Sequence, residues 1–149
     1  MIRDRWGLDF GWETGVLGYP VTDERPTAGR DGAFNFFEGG SIYYSSALNR
    51  AHPVWGEILN KWASKGYEKG ALRYPETDEL ETSPRNGRYQ HFQGGAIVWS
   101  PGRGAHPVWG EIRKRWNLEG NENGVWGFPV SDEWEYSPGR YAQLLKAVS

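Results

Sequence analysis

In one stretch of the chain apolar residues return at helical spacing. Val54, Ile58 and Trp62 stand four apart, Trp55 and Leu59 form an adjacent line, and Glu57, Asn60 and Lys61 take the other face. Such a stripe predicts a short amphipathic helix. Pro53 suits its first turn, where no amide proton is needed, and His52 would stand just before it. The pattern recurs: Ala51-His52-Pro53-Val54-Trp55-Gly56-Glu57-Ile58 returns as Ala105-His106-Pro107-Val108-Trp109-Gly110-Glu111-Ile112, about 54 positions later. Each copy runs into a basic segment ending in Trp62 or Trp116, and Ile2-Arg3-Asp4-Arg5-Trp6 opens the chain with the same ending. Gly11, Gly66 and Gly120 follow and predict helix stops. A fixed period of this length marks a repeat protein.

The period changes after each stop. Residues 32–45 and 87–100 each hold two β-rich runs around a glycine pair, Gly39-Gly40 or Gly94-Gly95, and predict a hairpin. Alternation sets Ile42 and Tyr44 against Tyr43, and Ile97 and Trp99 against Val98. A third hairpin begins at Gly139-Arg140-Tyr141 but has no glycine pair and no second run. The expected fold class is α+β, with tandem repeats of one short helix plus a β-hairpin. The units fall near residues 2–57, 58–111 and 112–149 of a single domain, the last incomplete. Units this small bury little alone, so a compact, pseudo-symmetric arrangement around an axis, sharing one core, is expected.

Composition narrows the chemistry. Net charge is −2 over 149 residues, so no bulk basic field recruits nucleic acid. No apolar run approaches the roughly 20 residues of a membrane span. With no cysteine, disulfides and thiolate chemistry are excluded. His52, His91 and His106 show no metal-ligand spacing. Glu13, Glu68 and Glu122, like Asp23, Asp78 and Asp132, recur with the turn they occupy. Hydrogen bonds to local amides account for that more simply than glycoside hydrolysis or calcium binding. No Gly-x-Ser-x-Gly elbow or phosphate loop is present. No catalytic residue, metal site or cofactor is therefore assigned.

The aromatic content, 9 Trp, 8 Tyr and 6 Phe, directs attention to stacking. Trp6, Trp55, Trp62, Trp109 and Trp116 follow helical phase and read as core. Positions that differ between units read as exposed: Trp12 against Tyr67 and Asn121, Trp134 against Arg25 and Leu80, Tyr43 against Val98. Tyr44 and Trp99 stay open, because one hairpin face must pack. Exposed rings stack on the apolar face of a sugar. The candidate ligand-binding residues are therefore Trp12, Tyr67, Tyr43, Tyr44, Trp99 and Trp134, with ordinary surface or inter-unit packing as the alternative.

After each helix stop comes a longer shared string. It contains Leu17-Gly18-Tyr19-Pro20, Leu72-Arg73-Tyr74-Pro75 and Trp126-Gly127-Phe128-Pro129, each followed by Thr-Asp-Glu or Ser-Asp-Glu two residues on. With Gly-Gly-x-Ile and Ala-His-Pro-Val-Trp-Gly-Glu-Ile, this string resembles the LGFP repeat family across nearly the whole chain. Arg73 and Trp126 depart from the tetrad. The resemblance implies a non-catalytic module of exported actinobacterial cell-envelope proteins that holds an appended or partner enzyme domain to cell-wall polysaccharide such as arabinogalactan. It implies an extracellular or cell-wall location, although no signal peptide precedes Trp6, and no membrane insertion. A protein-protein interaction or structural spacer domain is the alternative; a small hydrolase is a third reading that lacks a constellation.

Overall fold

The computed structural model describes residues 1–82, 87–123, 126–138, 140–143 and 145–146. Helices and antiparallel sheets alternate along it. A helical segment, α1 (Ile2–Asp4) with a wider π-helical continuation (Arg5–Asp9), comes first. A four-stranded meander follows: β1 (Arg25–Pro26), β2 (Gly32–Phe37), β3 (Gly40–Ser45) and β4 (Arg50–Trp55), in spatial order β1-β2-β3-β4. Helix α2 (Gly56–Ser64) leads into a second meander of identical order: β5 (Leu80–Glu81), β6 (Arg88–Phe92), β7 (Gly95–Ser100) and β8 (Gly104–Val108). Helix α3 (Gly110–Leu118) then opens a third unit. The α+β class and the tandem repetition match the sequence pattern.

Each unit holds a sheet where a hairpin was expected, and the difference arises at the His-Pro stretch. Residues His52 to Trp55 lie in β4, with Pro53 opposite Ile42, and His106 to Val108 lie in β8. Pro53 and Pro107 are thus edge-strand residues, a position that dispenses with the amide proton, and do not begin a helix. The turn into helix is made by Gly56 (φ +63°) and Gly110 (φ +60°), in left-handed backbone that no β-carbon obstructs. The stripe nevertheless buries as predicted, since Val54, Ile58 and Trp62 are all enclosed. The left-handed Gly11, Gly66 and Gly120 end the helices as expected.

The two-residue hairpin turns are Glu38-Gly39 and Gln93-Gly94. Neither glycine of either expected pair adopts positive φ. They are needed for close approach: a β-carbon on Gly39 would lie 2.2 Å from the Val16 carbonyl oxygen, and one on Gly94 1.9 Å from that of Ala71. The tetrad passes directly over the turn. Glu38 accepts a hydrogen bond from the Tyr19 amide at 2.9 Å, and Gln93 accepts one from Tyr74 at 3.2 Å. From the helix side, the indole N–H groups of Trp6, Trp62 and Trp116 donate to the carbonyls of Gly18, Arg73 and Gly127 at 3.0, 3.0 and 2.8 Å. All three acceptors have left-handed backbone, so Arg73 holds a conformation that glycine holds in the other two units.

Among the described residues, the single shared core expected from the small unit is replaced by three clusters. Ile2, Leu17, Phe37, Ile42 and Ala51 pack with Trp6 on the α1 side of the first sheet. The central cluster joins both sheets through α2 and includes Tyr43, Val54, Trp62, Tyr74, Phe92 and Ile97. Val98, Val108, Trp116 and Phe128 form the third, against α3. Both faces of each four-stranded sheet are therefore covered, one by the helix before it and one by the helix after. In the third unit β10 (Trp134–Ser137) pairs with β11 (Arg140–Ala142), and β12 (Leu145–Lys146) pairs with β9 (Phe128–Pro129). The run after Gly139 thus does pair twice, although Gly139 itself lies outside the described residues.

Candidate binding surface

The recurrent histidines and aspartates meet each other across units. In β4, His52 lies with Nδ1 2.7 Å from Asp78, which also receives Arg5 from the first helical segment. In β8, His106 stands 2.7 Å from Asp132, which also receives Lys61 of α2 at 3.0 Å and Lys65, just past the end of α2, at 2.9 Å. One carboxylate thus clasps the preceding sheet and the helix before it. The expected hydrogen bonds to local amides are not the role of Asp78 and Asp132. Burial opposes their ionisation, but the donors outweigh it, leaving Asp78 below its ordinary value and Asp132 at about 2.

Side-chain amides repeat the same connection. Gln90 donates to the Pro53 carbonyl at 2.9 Å and to that of Thr77 at 2.7 Å, and Gln143 donates to Pro107 and Ser131 at 2.8 and 2.9 Å. The edge strands β4 and β8 thereby have carbonyls occupied by the next unit. Sequence reasoning missed both glutamines; the signal was an amide recurring within a strand of apolar and aromatic residues.

The clasp gives an acid-dependent prediction. The folded carboxyl of Asp132 titrates near 2 against an ordinary 3.8. Its contribution is complete above 3.8 and is lost as pH falls toward 2. Asp132→Asn is expected to lower stability by about 1–2 kcal/mol at pH 7, after allowance for solvent screening. Urea unfolding at pH 7 and pH 2.5 should show the gap between variant and parent shrinking in acid. An undiminished gap would mean that Asp132 acts by packing alone.

The aromatic candidates separate by burial. Tyr43 is 3% exposed, which corrects its expected exposure. It stacks on Phe34 with ring centroids 5.4 Å apart and meets Trp62 edge-on at 4.6 Å, because the second sheet face is covered by α2. Tyr67 is half-buried and packs against Phe36, Tyr43 and Trp62. Trp99 is half-buried beside the central cluster. Tyr44 is also half-buried, donates to Asn49 at 3.2 Å, and lines an open hollow of about 390 Å³ with Glu24, Arg30 and Ala33. Trp12 and Trp134 are open to solvent, at 40% and 43% exposure. Trp126, not a sequence candidate, reaches 48%; it replaces the tetrad leucine, buried as Leu17 and Leu72 in the other units.

Two features of this surface bear on chemistry. Trp12, Tyr67 and Asn121, at equivalent positions, all have φ between +55° and +57°, a strained conformation for non-glycine residues. Burial raises the pKa of Glu68, while the Tyr74 hydroxyl holds Asp31 low. Among the described residues no cluster of three His, Asp or Glu side chains is placed to hold a metal ion, and no helix is long and apolar enough to cross a membrane.

Fold and surface together define a tandem-repeat protein in which helix, tetrad and sheet are tied by recurring indole, aspartate and glutamine bonds. The profile of the LGFP repeat matches residues 17–70 and 72–124, and the chain belongs to that family. No curated protein matches it.

Proposed function

We propose that this chain is a non-catalytic module that binds cell-wall polysaccharide and anchors an appended or partner enzyme domain outside the cell. The observation that carries this reading is the outward display of Trp12 in the first unit and of Trp126 and Trp134 in the third. Indole faces suit sugar rings, and a polymer presents the same ring repeatedly. Several weak contacts then add through effective concentration. Both recurring histidines are engaged by an aspartate of the next unit, a role in joining units that needs no bond-making chemistry.

The test is retention on insoluble cell-wall arabinogalactan. Expected are weak binding of short oligosaccharides, much tighter retention on polymer, and little change with salt, because the chain is nearly neutral. Replacing Trp12, Trp126 and Trp134 together by alanine should abolish most retention at a stability cost below about 1 kcal/mol per site. Polymer recovered chemically unchanged agrees with a non-catalytic role; turnover lost in Glu68→Gln would overturn it. Tyr67 is left out of this set, since it packs against the central cluster.

A second reading, contact with another protein chain, has one specific observation in its favour. Tyr74 lies under the preceding unit, its hydroxyl 2.8 Å from Thr27 and 2.7 Å from Asp31, and a β-carbon on Gly32 would meet its ring. Phe128 seats against Gly87 in the same way. Tyr19, their equivalent, is 61% exposed. Retention of the module on a protein-only envelope extract, but not on glycan, would favour this reading.

A further inference from the structure

The repeats are equivalent in register, which allows the same location to be compared in two joints. In the central joint Tyr67 fills it, packed by Phe36, Tyr43 and Trp62 within 6.3 Å between ring centroids. In the next joint each of these residues except the tryptophan has become smaller or polar. Asn121 stands for Tyr67, His91 for Phe36, Val98 for Tyr43 and Arg113 for Leu59, while Trp116 keeps the place of Trp62. The result is a recess of about 300 Å³, with Tyr89, Asn117 and Glu122 completing its wall.

We infer that this recess is a binding pocket for a single neutral sugar residue. The claim rests on the polysaccharide reading and assigns one site to it. The volume lies at the lower end of small-ligand sites, about 300–1,000 Å³, which limits the occupant to one ring. The half-buried Tyr89 supplies apolar ring surface, and Trp116, 5% exposed and with its indole N–H already bound to Gly127, closes the recess from the core side. Around them stand donors and acceptors of the kinds hydroxyls need: the Glu122 carboxylate, the Asn117 and Asn121 amides, and the Arg113 guanidinium.

His91 is oriented by the same set. Arg113 can only donate, so its contact at 2.7 Å makes His91 Nδ1 an acceptor and places the ring proton on Nε2. Burial and the Arg113 charge lower the His91 pKa, favouring this neutral form. One cation and one carboxylate line the recess, so it has no net field that would select an acidic sugar. The strained backbone is not an obstacle to substitution here, because tyrosine already occupies φ +55° at position 67.

The experiment follows the tryptophan indole N–H resonances by two-dimensional NMR during titration with D-galactose, D-arabinose and D-galacturonate, with the Trp116 peak assigned through Trp116→Phe. A neutral sugar is expected to shift the Trp116 signal. Asn121→Tyr, which restores the plug found at Tyr67, should abolish the shift without lowering the melting temperature. Glu122→Gln, which keeps the volume, should weaken binding about tenfold, the equivalent of one charge-assisted hydrogen bond, and serves if Asn121→Tyr fails to fold. Neutral-sugar binding unchanged in either folded variant overturns the inference, as does tighter binding of galacturonate. Polymer retention without any Trp116 response overturns the pocket and leaves the anchoring reading standing. A Trp116 response without polymer retention supports the pocket and removes the anchoring reading.

Discussion

Trp62→Ala is expected to lower the stability of the folded chain by about 3–5 kcal/mol, the range for emptying a large aromatic core site. Trp62 has no exposed surface and lies where α2 meets both sheets. Its ring contacts Tyr43, Tyr67 and Phe92, with centroids 4.6, 5.5 and 5.3 Å away, so its loss opens two units at once. The variant also leaves the Arg73 carbonyl without its indole donor. Trp12→Ala is the control, since that ring is 40% exposed and meets Trp6 edge-on at 5.1 Å. Chemical denaturation should rank Trp62→Ala far below Trp12→Ala. Equal midpoints would mean that the units unfold independently and that α2 does not couple them.

Gly70→Ala should cost about 3 kcal/mol or more, at the upper end for overpacking. The backbone of Gly70, φ −79° and ψ −177°, is open to any residue, so no conformational argument forbids alanine. The obstacle is contact: the new β-carbon would stand 1.7 Å from the Lys65 carbonyl oxygen, where the chain folds back on the end of α2. Gly15 repeats this arrangement against Phe10 at 1.4 Å. Gly102 has the opposite combination, φ +76° with nothing within 4 Å of a β-carbon. Gly102→Ala should therefore cost only about 1–2 kcal/mol, the price of a left-handed non-glycine residue. Urea midpoints for the two variants separate the effects, and a larger loss at Gly102 would reverse the assignment.

Much of the fold was legible because its signals are local. Helical spacing at Val54, Ile58 and Trp62, strand runs around paired glycines, and helix-stopping glycines all lie within a dozen residues of their cause. Repetition at a fixed period confirmed each of them. The tetrad was visible as a motif, but its purpose was not. The bond from each helix tryptophan to the left-handed carbonyl behind it joins residues about a dozen positions apart in a geometry that composition does not encode.

The candidate surface was legible only in part. Trp12 and Trp134 are exposed as their variability indicated, whereas Tyr43 is not. The rule that variable positions face solvent failed there because both faces of each four-stranded sheet are covered. Tyr43 meets Tyr67, and their counterparts Val98 and Asn121 line one recess, so the two positions change together where units join.

By itself, then, the sequence determined the repeat, the element types and the buried stripe, since hydrophobic period and turn chemistry act over a few neighbouring residues. Tertiary structure decided the remainder. It made His52-Pro53 an edge strand, because β3 and Gln90 of the next unit satisfy the two sides of that strand. It turned Asp78 and Asp132 from turn residues into clasps, and one of two equivalent joints into a pocket. Each outcome depends on which side chain of a neighbouring unit arrives at a given point, and that is set by stacking between units and not by spacing along the chain.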